Sequence, residues 1–371
     1  MKKIILICLL ACFIMLFSAC GTSTEQSKGE DVVQTSNEQI DEKTNEQTNF
    51  PNEYKNEMNG VIFDVVLEIP ENLDFSQLKK STASAQRPDM NKVIEAFVTE
   101  QEISEEFKDK GIGPNGEQFD THYLIFKDGG SLYVANSFSY ATPLFGKIQT
   151  AFRRDTADNF TKNEELSFGS SNQAFETIKV QLNGVGYELQ ELRYDFYALD
   201  AHTLSQQEMQ EDIFQKGEQK TEWNGNEDAY YFFAEQIYQG LPVFFGSKDF
   251  PQDDENYRPI EALYSQKGIE YLSAAPALYR FHSQNGTVVL ADFEIIAQSV
   301  AQKYGSLLTN ESYGVHRAKL CQIPVQNQSG GYDVKIGWLI EMTVSGVEEG
   351  QACTFPLYTF VDAENGLEII L

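Results

Sequence analysis

Residues 292–305 read DFEIIAQSVAQKYG, and three β-rich runs follow at 317–325 (RAKLCQIPV), 334–344 (VKIGWLIEMTV) and 354–361 (TFPLYTFV). Phe293, Ile296, Ala297, Val300 and Tyr304 recur at helical spacing, so the first stretch predicts an amphipathic helix. Asp292 stands at its N-cap and Gly305 at its end. A helix followed by consecutive strands, without strict βαβ alternation, is the order of a helix laid on an antiparallel meander.

The same order occurs earlier. Ser170-Ser171 begins a helix over Asn172–Leu182, with Ala174, Phe175, Ile178 and Leu182 inward and Gly184-Val185-Gly186 at its end. A strand follows over 187–199, then others at 229–238, 260–264 and 269–272, with Ser265–Gly268 as a turn. Further out, Gly60–Ile69 (GVIFDVVLEI) alternates as a half-buried strand, and Arg87-Pro88-Asp89 opens a helix. Asp128-Gly129-Gly130 joins strands 121–127 and 131–138 in a hairpin. Gln284-Asn285-Gly286 reads as another hairpin turn, between 277–282 and 288–290. The reading is α+β: antiparallel sheets, each packed by a few helices, in two similar-sized units after a disordered tether. The polar passage Lys216–Asn226 sets the expected boundary, giving a first α+β domain over 56–215 and a second over 216–371.

In the C-terminal third, the helix Phe293–Tyr304, the strands ending Tyr358-Thr359-Phe360-Val361-Asp362 and the turn at Asn365-Gly366 resemble the PepSY and YycI-type modules of Gram-positive envelope proteins. The whole chain is also similar to uncharacterised lipoproteins of Clostridia, on its tether and on Asp228–Phe232. These resemblances imply an envelope location and regulation by contact. They carry no catalytic residue.

The N-terminus supplies an address. Lys2 and Lys3 precede an apolar core from Ile4 to Phe17, too short to span a bilayer comfortably and right for a signal peptide over 1–19. Phe17-Ser18-Ala19-Cys20 resembles the lipobox of bacterial lipoproteins, with Phe17 where Leu is usual. The resemblance implies a diacylglyceryl group on the Cys20 thiol, an added acyl chain such as palmitate, and cleavage between Ala19 and Cys20. Two acyl chains hold a protein stably, where one is marginal. Residues 20–55 have few large apolar side chains and are expected as a disordered tether reaching roughly 30 Å. The expected location is the outer face of the cell membrane.

Charge narrows the partners. The chain holds 28 basic and 56 acidic residues, a formal net charge of −28, and loss of the leader removes Lys2, Lys3 and no acid. Such a surface repels phosphate backbones and anionic lipid, so no nucleic-acid partner is expected. The expected partners are the membrane, through the anchor, and an envelope protein or peptidoglycan.

The chemistry motifs are thin. His122, His202, His282 and His316 stand far apart, so neither a metal nor a cofactor is expected. Ser76-Gln77-Leu78-Lys79 matches S-x-x-K without its companion motifs. Asp249, Asp253, Asp254 and Glu255 lack the alternation of a calcium loop. Two routes to a site stay open. Aromatics at 230–233 could stack on cell-wall sugars, with Tyr231 and Phe233 on the face expected to be exposed; alternatively, two carboxylates brought together in space could hydrolyse wall polymers. The leading expectation is non-enzymatic: an envelope interaction or regulatory protein. Cys321 and Cys353 fall on the first and third strands of a meander, about 9–10 Å apart. That exceeds the roughly 7 Å reach of a disulfide, so unpaired thiols are expected, although an oxidising exterior permits a bridge.

Overall fold

The computed structural model describes residues 50–98, 102–113, 116, 118–208, 222–246, 258–307, 311–348 and 351–371. Residues 47–110 and 120–371 form one compact unit, and 111–119 fall outside it. The fold is α+β, with two antiparallel-rich sheets and a few helices.

One sheet, here sheet A, gathers seven strands from both ends of the chain: β1 (Glu53–Met58), β2 (Val61–Glu68), β3 (Lys79–Ala85), β14 (Tyr279–Thr287), β15 (Ser312–Gln326), β16 (Tyr332–Glu348) and β17 (Gln351–Asp362). Their order is β1-β2-β15-β16-β3-β14, with β17 also on β16. All pairs are antiparallel except β2 with β15. In β2 the period of two is complete: Val61, Phe63, Val65 and Leu67 are buried while Ile62, Asp64 and Val66 are exposed. The predicted helix is present over Phe293–Gly305 and lies on that buried face, setting Phe293, Ile296 and Val300 against Trp338 and Ile340 of β16. Asp292 occupies its N-cap without a side-chain cap bond.

Sheet B holds the middle of the chain: β4 (Ile103–Ile112), β5 (Gln118–Phe126), β6 (Ser131–Val134), β7 (Phe138–Ala141), β8 (Thr161–Lys162), β9 (Glu191–Leu199), β10 (Ala229–Tyr238), β11 (Leu241–Pro242), β12 (Ile260–Ser265) and β13 (Gly268–Ala274), in the order β4-β5-β6-β7-β13-β12-β10-β9-β8 with β11 on β10. Among the described residues the α-helices in chain order are α1 (Met90–Phe97), α2 (Pro143–Ile148), α3 (Ser171–Gly184), α4 (Ala201–Gln207) and α5 (Phe293–Gly305). α3 precedes the meander β9-β10-β12-β13 as α5 precedes β15-β16-β17, so the recurring order is a recurring architecture.

The structure corrects several readings. A boundary at 216 would separate β9 from β10, which pair along nine residues of one sheet. The polar passage is an insertion between neighbouring strands, and each sheet draws on both sides of it. The body also starts earlier than 56: β1 is polar, EYKNEM, because it is an edge strand with only Tyr54 and Met58 half-buried. No hairpin turns at 284–286. β14 runs through them on β3, and a register shift between Ser283 and Thr287 absorbs Gly286 at φ +134°. Ser170 makes no side-chain cap bond. Glu165 caps α3 instead, accepting from the Ser171 amide at 2.8 Å and its hydroxyl at 2.6 Å.

Amide side chains acting as strand backbone help to join the two sheets. Gln236, 3% exposed, donates to the Tyr279 carbonyl at 2.8 Å and accepts from its amide at 2.7 Å. Gln86 treats Glu188 in the same way, at 3.2 and 2.6 Å. Gln322 donates to the Tyr238 carbonyl at 3.2 Å. Each clasp satisfies buried peptide groups that no strand reaches.

Candidate functional site

Cys20 and Ala19, expected to carry lipid and to flank the cleaved bond, lie outside the described residues, as do Asp249, Asp253, Asp254 and Glu255. Tyr231 and Phe233 are described, and the expectation that they face solvent is wrong. They are 7% and 3% exposed, and all ten residues of β10 are buried. Tyr230, Phe232 and Ala234 face α1 and α3 on one side. Tyr231 and Phe233 face a second layer built from Phe145 and Ile148 of α2, Phe152, Phe160 and Leu204 of α4. Tyr231 stacks on Phe233 at 4.9 Å, tilts against Phe152 at 4.9 Å, and turns its hydroxyl to Glu261 at 3.1 Å. Alternation was read correctly, but it cannot reveal that a later segment folds over the second face.

The face left uncovered belongs to sheet A, on the side away from α5. Its lower half is closed by the C-terminal tail and the segment after β11: Ile369 and Phe244 pack on Cys321, Ile323, Leu339 and Phe360. Gly337 makes this possible, since a Cβ there would stand 2.6 Å from Ile323 Cδ1 and 2.8 Å from Ile369 Cδ1. Among the described residues, nothing packs over the upper half. Ile62 and Val66 are 53% and 52% exposed there. Arg317 forks onto Glu68, at 2.5 and 2.8 Å, and reaches Glu341 at 3.7 Å. Tyr358 stands directly opposite Glu341 and Pro356 opposite Thr343. The register shift between Val315 and Arg317 brings His316 to the same face, where Nε2 meets Thr343 Oγ1 at 2.7 Å. Beside β2, Lys55 bridges Asp64 at 3.1 Å and Glu53 at 3.5 Å, and the Asp64 carboxylate raises its ammonium above the usual range.

At the edge of the closed half lies a cavity of about 20 Å³, room for one water, lined by Glu235, Arg258, Lys319, Cys321 and apolar side chains. Glu235 is 5% exposed and accepts from Arg193 Nε at 3.0 Å, with Arg258 Nε at 3.7 Å. A buried carboxylate between two guanidiniums is a satisfied structural charge. Among the described residues lining the cavity it is the single acid, so a carboxylate pair is not formed there.

The remaining motifs resolve locally. The Ser76 hydroxyl donates to Asp74 at 2.6 Å inside a one-turn 3-10 segment, and Lys79 already belongs to β3. His122 pairs with Glu106 at 2.7 Å, and His202 with Gln206 at 3.0 Å. Among the described residues no three His, Cys, Asp or Glu side chains gather as metal ligands. Cys321 and Cys353 are free, as the meander geometry predicts. They oppose Gly337 and Gly346 of β16, nine residues apart, so the separation runs along the strands as well as across them.

No protein-family model matches the chain, and no curated protein matches it. Among solved structures it is similar to an uncharacterised protein from Eubacterium rectale, at 17% identity and a TM-score of 0.55, covering 86% of this chain and 94% of that one. That likeness shows a shared fold. The Bacillus megaterium YpeB C-terminal domain matches at 10% identity and a TM-score of 0.26, over 76% of this chain and 96% of its own. At that score the second likeness carries no argument.

Proposed function

We propose that the chain is a lipid-anchored protein of the outer membrane face, where its body acts by binding a protein partner and not by catalysis. The observation that carries this reading is the run Phe17-Ser18-Ala19-Cys20 behind Lys2, Lys3 and a short apolar core. The polar stretch behind Cys20 fits a spacer, and among the described residues no helix is long and apolar enough to cross a membrane. The helix-on-meander order resembles PepSY and YycI-type modules, which supports an envelope role through contact. With Tyr231 and Phe233 buried, the glycan-stacking alternative loses the residues on which it stood.

The test is metabolic labelling with a palmitate analogue, together with mass spectrometry of the mature N-terminus. Label on Cys20, lost in Cys20→Ala, together with membrane fractionation, supports the anchor. An unmodified N-terminus, or a cytosolic protein, overturns it.

A further inference from the structure

Sheets A and B repeat one design, a helix on one face of an antiparallel meander, yet their second faces differ. In sheet B that face is covered by the chain itself, through short helices that set Phe145, Ile148, Phe152 and Leu204 against β10. In sheet A, among the described residues, the tail and Phe244 cover only the lower half. The open half crosses β1, β2, β15, β16 and β17, five strands or about 20 Å at 4.8 Å per strand. An α-helix with its side chains is about 10–12 Å wide, so one helix fits across it.

The charges on this half choose among occupants. Register and contacts place five carboxylates there, on Glu53, Glu57, Asp64, Glu68 and Glu341. Three cations share the face: Lys55 and Arg317, each already engaged with two of those acids, and Lys319, in register beside Glu68 at the border of the closed half, so the carboxylates still outnumber them. Between the acids sit Ile62 and Val66. A second copy would set like charges together, and anionic lipid would be repelled by a chain of net charge −28. A cationic helix with one apolar stripe satisfies both features: it covers Ile62 and Val66 and brings positive charge to carboxylates in excess.

We infer that the open half of sheet A, centred on Ile62 and Val66, docks a basic amphipathic helix of a partner protein, in the position that the chain's own helices occupy on sheet B. This deepens the binding role proposed above and rests on it.

Photo-crosslinking on the full chain in its own cells tests the inference. The probe residue p-benzoylphenylalanine replaces Ile62 or Val66, and Val180 on α3, 69% exposed, serves as the control position. The expected result is an adduct at 62 and 66, absent at 180, whose sequenced partner peptide is net-cationic with apolar residues at helical spacing. Removing charge by Asp64→Asn with Glu57→Gln, both exposed and outside the core, should lower the yield at 66 by about tenfold. No adduct, an adduct with a second copy, with lipid or with an acidic segment, or a yield indifferent to the charge change, overturns the inference. Palmitate labelling is read on the same cells. Labelled protein without the adduct defeats the docking surface alone, while the expected adduct on unlabelled protein defeats the anchor alone.

Discussion

The centre of sheet B, at β10, is buried on both faces and sheet A on one and a half, although both are built as a helix on a meander. The contrast is sharpest between β10 and β2. In β10 alternate residues enter two different cores, so every position is closed. In β2 only one set is closed, and Ile62 and Val66 remain in water. Aromatic density thus marks the doubly buried strand, while the surface open to a partner shows ordinary alternation. Scattered exposed aliphatics are normal on a protein surface, but two on one open sheet face, ringed by acids, form a patch with a chemical character.

The largest expected effect breaks this comparison if it fails. Phe232→Ala and Phe233→Ala should cost similar amounts, about 3–5 kcal/mol each, because both faces of β10 are core. Val66→Ala should stay within about 0.5 kcal/mol. Urea denaturation measures all three, and a cheap Phe233→Ala would mean that the second layer does not cover sheet B.

The join between the sheets comes next. Gln236→Leu leaves the Tyr279 amide and carbonyl without their clasp, at an expected cost of about 1–3 kcal/mol. Hydrogen exchange should quicken at the Tyr279 amide while amides inside β10 keep their protection.

Gly337→Ala probes the closed half of sheet A. A Cβ there collides with Ile323 and Ile369, so the tail must lift, at about 1–3 kcal/mol. Cys321, 1% exposed, should then react faster with a thiol reagent. An unchanged rate would show that the tail does not seal this half.

The smallest effect lies at the cap of α3. The Ser171 hydroxyl and amide, and the Tyr230 hydroxyl, hold the Glu165 carboxyl below its usual range. Burial, chiefly, pushes the Tyr230 phenol up to about 12. A carboxylate with a depressed folded pKa stabilises fully above its unfolded pKa, about 4.3 for Glu, and loses that contribution as pH falls through the folded value. Glu165→Gln should therefore cost less than about 1 kcal/mol at neutral pH, the difference from the unchanged chain closing in acid. A difference that persists at low pH would mean that the charge does not make the cap.

The long periodic elements were legible because local pattern and tertiary burial agree in them. β2, α3, α5 and the final meander stand where the apolar spacing puts them. β1 and β4 were missed because both are exposed sheet edges, polar over most of their length. The division at 216 failed for a topological reason: strands far apart in the chain share a sheet, as β2 shares one with β15, and no local signal reports such pairing. The candidate surface was half legible. The alternation placing Ile62 and Val66 on one side of β2 is in the sequence. That a second layer covers sheet B and stops short on sheet A depends on where α2, α4 and the tail fold back.

Hydroxyl-radical footprinting of the full chain, read by mass spectrometry, compares the two outer faces directly with one side-chain type. Tyr358, half-buried where the open half of sheet A meets the closed half, should oxidise several-fold faster than Tyr231, 7% exposed beneath the second layer of sheet B. Equal rates, or a faster Tyr231, would contradict the claim that one design was left open in sheet A and closed in sheet B.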